Sequence, residues 1–220
     1  MAKGKETAAA LRNDILAIKR ERILAEAVDL FYENGYLPTN VETVAQQLGA
    51  TKPFVYYHFD SKISMLSEIC RKVMEEALNA SDTAVHSEGT PTERLAWFVL
   101  LFTDLVLDRY KHTSIYFREE LNLPPDVSAQ IMVLRKRIDY GLREILNAGH
   151  AAGEFKYTNK VVASQIISGI ISYTFAWYSE NSPLTKKAIR QQLLEHVLRS
   201  VGADPDSVQT IVINYSSGDT

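Results

Sequence analysis

Residues 39–62 read TNVETVAQQLGATKPFVYYHFDSK. Val41, Val44, Ala45 and Leu48 fall at i, i+3, i+4 and i+7, which makes one apolar stripe on a helix of about two turns. Glu42, Thr43, Gln46 and Gln47 form its polar side. Thr39 or Asn40 is suited to cap this helix by accepting from a backbone N–H two or three residues on, and Gly49 to end it in the left-handed conformation. Thr51 then caps a second helix whose first turn holds Lys52 and Pro53, where a missing amide hydrogen costs little. At about 100° per residue, Val55 and Phe59 are the i, i+4 pair that packs on the first helix. Pro53 and Tyr57 stand nearly opposite, Phe54 and Tyr56 lie on the flanks, and Lys52 and His58 mark the two ends. A helix rising about 10 Å fits a major groove about 12 Å wide. Its outer residues offer phosphate donors, base-edge hydrogen bonds and apolar contact to thymine methyls. The competing reading is an aromatic core helix of an unrelated bundle.

Thr39–Asn40–Val41, Val44–Ala45, Leu48–Gly49–Ala50–Thr51, Tyr56–Tyr57–His58–Phe59 and Ser61–Lys62 together resemble the DNA-binding module of the TetR family. The resemblance extends upstream through Ile23, Ala27, Phe31 and Gly35–Tyr36, covering roughly residues 18 to 66. Two positions depart from the family pattern: Asn40 stands where a second threonine is frequent, and Pro53 where a glycine is. The resemblance implies that Thr39, Thr51, Tyr56 and Lys62 grip phosphates while Lys52, Pro53, Phe54, Tyr57 and His58 lie nearer the bases. It also implies a homodimer on double-stranded operator DNA and a small-molecule effector site in the remainder of the chain.

With 220 residues, 46% of them hydrophobic, the chain has room for a small head and a larger body. A net charge of −3 excludes a general basic coat, so DNA binding has to rely on local charge. Residues 1–22 carry Lys3, Lys5, Arg12, Lys19, Arg20 and Arg22 against Glu6, Asp14 and Glu21; this is either an arm for the phosphate backbone or a solvated helix face. The single cysteine, Cys70, excludes a disulfide framework, and the five histidines show no metal-ligand spacing. No signal-peptide pattern and no apolar run approaching about 20 residues is present, so no membrane partner is expected and the cytoplasm is the expected compartment.

The expected fold is all-α. An N-terminal three-helix helix-turn-helix head with a basic arm (1–66) precedes a helical ligand-binding and dimerisation body (67–201) and a C-terminal tail (202–220). A helix from Ser61 runs through Met65, Leu66, Ile69, Val73 and Leu78 until the polar stretch Ser81 to Gly89 breaks it. Thr90–Pro91–Thr92–Glu93 is a capping box opening the helix of Leu95, Trp97, Phe98, Leu101, Phe102 and Leu105. Further helices are expected at about 113–122, 125–148, 159–179 and 185–201, with Gly149, Gly153 and Phe155 punctuating the passage between two of them. In the tail, Val208, Ile211, Val212 and Ile213 are candidates for docking.

The last two helices carry more apolar surface than one chain is expected to cover. Ile167, Ile171 and Phe175 on one, and Leu193, Leu194, Val197 and Leu198 on the other, are therefore expected at a four-helix dimer interface. Trp97, Phe98, Phe102, Tyr116, Phe117, Leu134, Arg135, Ile138, Tyr173 and Trp177 are the candidate effector site, with Asn122, Tyr140 and Gln165 as further polar candidates; plain core packing is the alternative for each aromatic. Residues 175–178 and 182–185 are similar to family members that sense acyl-coenzyme A or lipid-like acids, for which Arg118, Arg135, Arg137 and Arg143 are the candidate basic mouth.

No cofactor or metal is expected, and no enzyme: there is no nucleophile–base order in a strand-turn context and no phosphate-cradling glycine loop. Glu119–Glu120 is the one adjacent carboxylate pair, and neighbours on a helix point about 100° apart. The expected function is a ligand-responsive repressor that leaves a palindromic operator when an effector occupies the body, with the helix from Ser61 as lever. A helical protein-interaction module without DNA binding is the alternative.

Overall fold

The structure is a computed structural model that describes the backbone of residues 2–204 and 207, with side chains from residue 11 onward except residue 12. Among the described residues all regular structure is helical. In chain order the helices are α1 (Ala2–Asn34), α2 (Val41–Gln47), α3 (Lys52–His58), α4 (Lys62–Val85), α5 (Pro91–Asp108), α6 (Tyr110–Glu119), α7 (Pro125–Ala151), α8 (Lys160–Ser172) and α9 (Lys186–Ser200), with 3-10 turns at Glu120–Asn122 and Tyr173–Ala176. The docking proposed for Val208 to Ile213, and the side chains of Lys3, Lys5 and Arg12, lie outside the described residues.

Two apolar cores form. The first joins Ile23, Ala27 and Phe31 of α1, Val44 and Val55 of the short helices and Met65 to Val73 of α4, and it continues into Ile115 and Tyr116 of α6 and Ile131 of α7. The second is built by α5, α7, α8 and α9 on Ala77, Leu78 and Ala84 of α4. Cys70 lies in the first, fully buried as a small hydrophobe, and burial pushes its thiol up to about 12.

Local chemistry sets the breaks. Gly35 ends α1 at φ +88 and Gly49 follows α2 at φ +68, conformations that a Cβ disfavours. Asn40 caps α2, accepting from the Thr43 N–H at 2.9 Å. Thr90 and Glu93 form the capping box of α5 in both directions. The polar stretch from Ser81 breaks α4 only part-way along: the helix persists to Val85 and yields at His86, its C-cap, ahead of Gly89 at φ +114. Small residues explain the persistence: Gly141 of α7 approaches so closely that a Cβ there would meet Ser81 Oγ and Val85 Cγ2 at 3.0 Å. The helix expected at 159–179 stops at Ser172 and tightens into the 3-10 turn.

The expected dimer residues need correcting. Ile167, Ile171, Leu193, Leu194, Val197 and Leu198 are buried within the chain's own second core, and Phe175 is half-buried, stacked on Phe117 at 4.9 Å. Helix α5 supplies the surface that covers α9, and Arg190 of α9 holds both carboxylate oxygens of Asp104 at 3.1 Å. Apolar periodicity counted the stripe correctly but assigned it to the wrong neighbour. The apolar side chains of this region that remain exposed are Val161, Val162, Ile166, Tyr173, Trp177 and Leu184.

Phe155 closes the second core by lying on Gly149, whose carbonyl accepts from the N–H groups of both Glu154 and Phe155 at 2.8 and 3.1 Å. A Cβ at Gly149 would overlap the ring. Gly149→Ala is expected to cost about 1–3 kcal/mol by overpacking, seen as a lower thermal midpoint by circular dichroism; an unchanged midpoint would mean that the ring has another seat.

Candidate nucleic-acid interface and effector cavity

Helix α3 opens with Thr51 accepting from the Phe54 N–H at 3.4 Å, and Pro53 sits in its first turn. Val55 and Phe59 are sealed inward while Tyr57 is 76% exposed, with Thr51, Lys52, Pro53 and Tyr56 exposed around it. Lys52 is loosely paired with Glu42 of α2 at 3.7 Å, both side chains half in solvent, so the ammonium is readily re-aimed. Phe54 is half-buried, with Lys19 of α1 5.9 Å from its ring.

Three residues expected at DNA are placed differently. His58 is buried, its ring edge-on to Phe54 and Tyr57 at 5.0 Å each, because three residues beyond Val55 brings it round to the inner side of the helix. Burial first, then Lys19 and Arg20, pull its pKa below the usual imidazole value. Thr39 is buried and its hydroxyl donates to the Gly35 carbonyl at 2.8 Å. Lys62 folds back so that its ammonium donates to the carbonyls of Tyr36, Leu37 and Thr39 at 2.9, 3.1 and 2.9 Å, 4.2 Å from the Tyr36 ring centroid. All three ammonium donors are thereby engaged. Arg20 likewise braces the head, donating to the His58 carbonyl and Glu68 with its guanidinium over Phe59 at 4.1 Å.

In the body a cavity of about 650 Å³ lies between α4, α5, α6, α7 and α8. Of the expected residues Phe102, Tyr116, Phe117, Arg135, Ile138 and Gln165 line it. Trp97, Phe98, Leu134, Tyr173 and Trp177 do not: Phe98 is fully buried and stacked on Phe102 at 5.3 Å, Trp97 and Leu134 pack on the second core, and Tyr173 and Trp177 face outward. Asn122 and Tyr140 lie outside it as well. Val73, Met74 and Ala77 of α4 form a wall that sequence reading treated only as a lever; their i, i+1, i+4 spacing was the available signal. Arg118, Arg137 and Arg143 are engaged with the Tyr32 carbonyl, Asp82 and Asp139 respectively. Arg135 alone of that set reaches the cavity, donating to Tyr116 Oη at 3.2 Å and to Glu120 at 3.5 Å. Burial, reinforced by Glu120, pushes the Tyr116 hydroxyl up to about 12.

Helix α6 joins cavity to head. Lys111 pairs with Asp29 of α1, Arg118 donates to the Tyr32 carbonyl at 3.4 Å, and Tyr110 meets Tyr32 edge-on at 5.6 Å. His112 sits in this joint, where burial, then Arg109, drops its pKa from 6.5 to about 4 against the opposing pull of Glu76. Among the described residues no helix is long and apolar enough to cross a membrane, and no group of three or more His, Cys, Asp or Glu side chains is placed to hold a metal.

Residues 23–69 match the family model of bacterial regulatory proteins, tetR family, and residues 88–201 match that of the tetracyclin repressor-like C-terminal domain. The HTH-type transcriptional repressor KstR2 of Mycolicibacterium smegmatis is 24% identical over 187 residues, covering 84% of this chain and 91% of that protein. Among solved structures, the TetR family transcriptional regulator PfmR from Thermus thermophilus superposes with a TM-score of 0.77 at 27% identity, covering 82% of this chain and 98% of that one. AibR, solved with isovaleryl coenzyme A and operator DNA, shares the fold at a TM-score of 0.72 and 22% identity, covering 80% and 96%.

Tyr57→Ala combined with Lys52→Ala is expected to weaken binding to a duplex from the chain's own upstream region by about 2–4 kcal/mol, measured by fluorescence anisotropy, with the melting temperature unchanged. Undiminished binding would relocate the docking face. For His112, the folded pKa lies below the unfolded one, so the unfolded chain takes up the proton first as pH falls from 6.5 toward 4. Stability is expected to drop over that window by an amount on the order of 1–3 kcal/mol. His112→Gln should flatten the denaturation profile there, and an equal slope in the variant would exclude His112 as its source.

Proposed function

The chain belongs to the TetR family of bacterial regulatory proteins, and on that footing we propose that it is a ligand-responsive transcriptional repressor acting in the cytoplasm, a homodimer on a palindromic operator released by a small apolar or amphipathic effector. The observation that carries this reading is the pairing of an outward Pro53–Tyr57 face, anchored by buried Val55 and Phe59, with a cavity in the same chain large enough for a drug-sized molecule. In the proposed complex Thr51 and Tyr56 reach phosphates, and Lys52, Pro53 and Tyr57 reach base edges, with Phe54 on the flank. Thr39, His58 and Lys62 shape the head from behind.

Val162, Ile166 and Tyr173 lie at i, i+4 and i+11, with Trp177 beyond, and this outward stripe is the proposed two-fold contact in place of the buried residues of α8 and α9. Two heads held on one axis address half-sites about 34 Å apart or somewhat more. Effector binding acts through α4, which carries both cores, and α6, which touches cavity and head; release requires that the effector favour a head spacing the operator does not.

Sedimentation and anisotropy test the proposal together. Ile166→Glu is expected to give a monomer that loses about 100-fold or more in operator affinity, while the unaltered chain sediments as a dimer. An unaltered chain that is monomeric, or that ignores its upstream duplex at low salt, would overturn the repressor reading.

A further inference from the structure

The charges at the mouth of the cavity are not balanced. Arg135, Lys136, Glu120 and Asp139 all line it. Asp139 is already satisfied: Arg143 pairs with it, the Ser164 hydroxyl donates to it at 2.8 Å and Gln165 Nε2 at 3.1 Å. Lys136 has no ion pair among the described residues, and Arg135 meets Glu120 only at 3.5 Å through one of its nitrogens. Two cations thus face one carboxylate, Glu120, which is shared between Arg135 and the Tyr116 hydroxyl, beside an interior walled by Val73, Ala77, Leu105 and Ile131.

Resting on the repressor reading, we propose that the effector is an anionic amphiphile: its apolar part fills the cavity, and its oxyanion head is held by Arg135 and Lys136, displacing Glu120 from the Arg135 guanidinium. A headgroup bearing a net negative charge completes the mouth, whereas a neutral or cationic one leaves the excess uncompensated. The guanidinium fork suits a carboxylate or phosphate, and most of its five N–H donors are uncommitted. The pair to be exchanged is weak. The Arg135 and Glu120 side chains are 57% and 38% exposed, so solvent already screens their attraction and a better-placed anion replaces it at little cost.

The exchange reaches the head. Tyr116 and Glu120 are the groups through which Arg135 of α7 ties down the C-terminal end of α6, and α6 holds α1 through Lys111 and Arg118. Drawing Arg135 onto an effector releases that tie, while an effector that leaves it intact has no purchase on the head through this route.

Four amphiphiles of one chain length, below their micelle concentrations, separate the alternatives: dodecanoate, dodecyl phosphate, dodecanol and dodecyltrimethylammonium, titrated calorimetrically into the full chain. At least one anion is expected to bind about tenfold tighter than dodecanol; the tighter of the two names the headgroup. That ratio is expected to collapse toward one in Arg135→Gln, to recover in part in Arg135→Lys, and to rise several-fold in Glu120→Gln, where the competing carboxylate is gone. Equal affinity for dodecanol, preference for the ammonium, no binding of any probe, or an unchanged ratio in Arg135→Gln would each overturn the proposal. Operator binding without effector, measured on the same preparation, keeps such a failure distinct from failure of the repressor reading.

Discussion

Helix α4 is a single uninterrupted rod that both apolar cores require. Met65, Leu66, Ile69 and Val73 belong to the head, Ala77, Leu78 and Ala84 to the body, and little more than one turn separates the two sets. Each large side chain fully buried in this way stabilises by about 1.5–3 kcal/mol relative to exposure, so neither half of the molecule closes without the helix. Because an α-helix is stiff over this length, a change in how the body grips its second half is felt as a change in the direction of its first. The close approach of Gly141 to Ser81 and Val85 matters for that reason: it seats the far end of the rod against α7 with no long side chain to absorb a shift.

Polar groups in the head divide into those that hold and those that are offered. Lys62, Thr39 and Arg20 direct their donors at carbonyls or a carboxylate of the head itself, and His58 fills space between rings. Their donors meet acceptors that the chain turns leave without helical partners, which is why they fold inward although their residue types suit a phosphate equally well. What remains outside, Thr51, Lys52, Pro53, Tyr56 and Tyr57, is a compact set on one short helix. The rigidity of the first group gives the second a defined geometry.

How much of this could be read beforehand depended on whether the deciding interaction was local. The stripes of α2 and α3, the caps at Asn40, Thr51 and Thr90 and the inward pair Val55 and Phe59 follow from spacing along one helix, and they stand where spacing puts them. Its place at a helix end suggests that His58 faces outward, whereas its angle from Val55 turns it inward. The stripe of α9 was legible but its neighbour was not, since periodicity says that Leu194 and Val197 are buried without saying that α5 buries them. The cavity was the least legible feature. Its wall combines five helices, and aromatic content alone does not separate Phe102, which lines it, from Phe98, stacked on that ring and buried in the core. Ser81 to Val85 stayed helical for a reason lying far downstream, at Gly141 in α7.

The burial of Cys70 has a practical corollary. Sulfur chemistry runs through the thiolate, and a thiol held near 12 within a closed core supplies almost none at neutral pH. While the head stays folded, thiol-directed alkylating reagents and maleimide dyes have no foothold at Cys70. A cysteine introduced on the outer surface of α3 or α8 would therefore be the sole reactive handle, which makes the protein ready for site-selective labelling without first removing its own sulfhydryl.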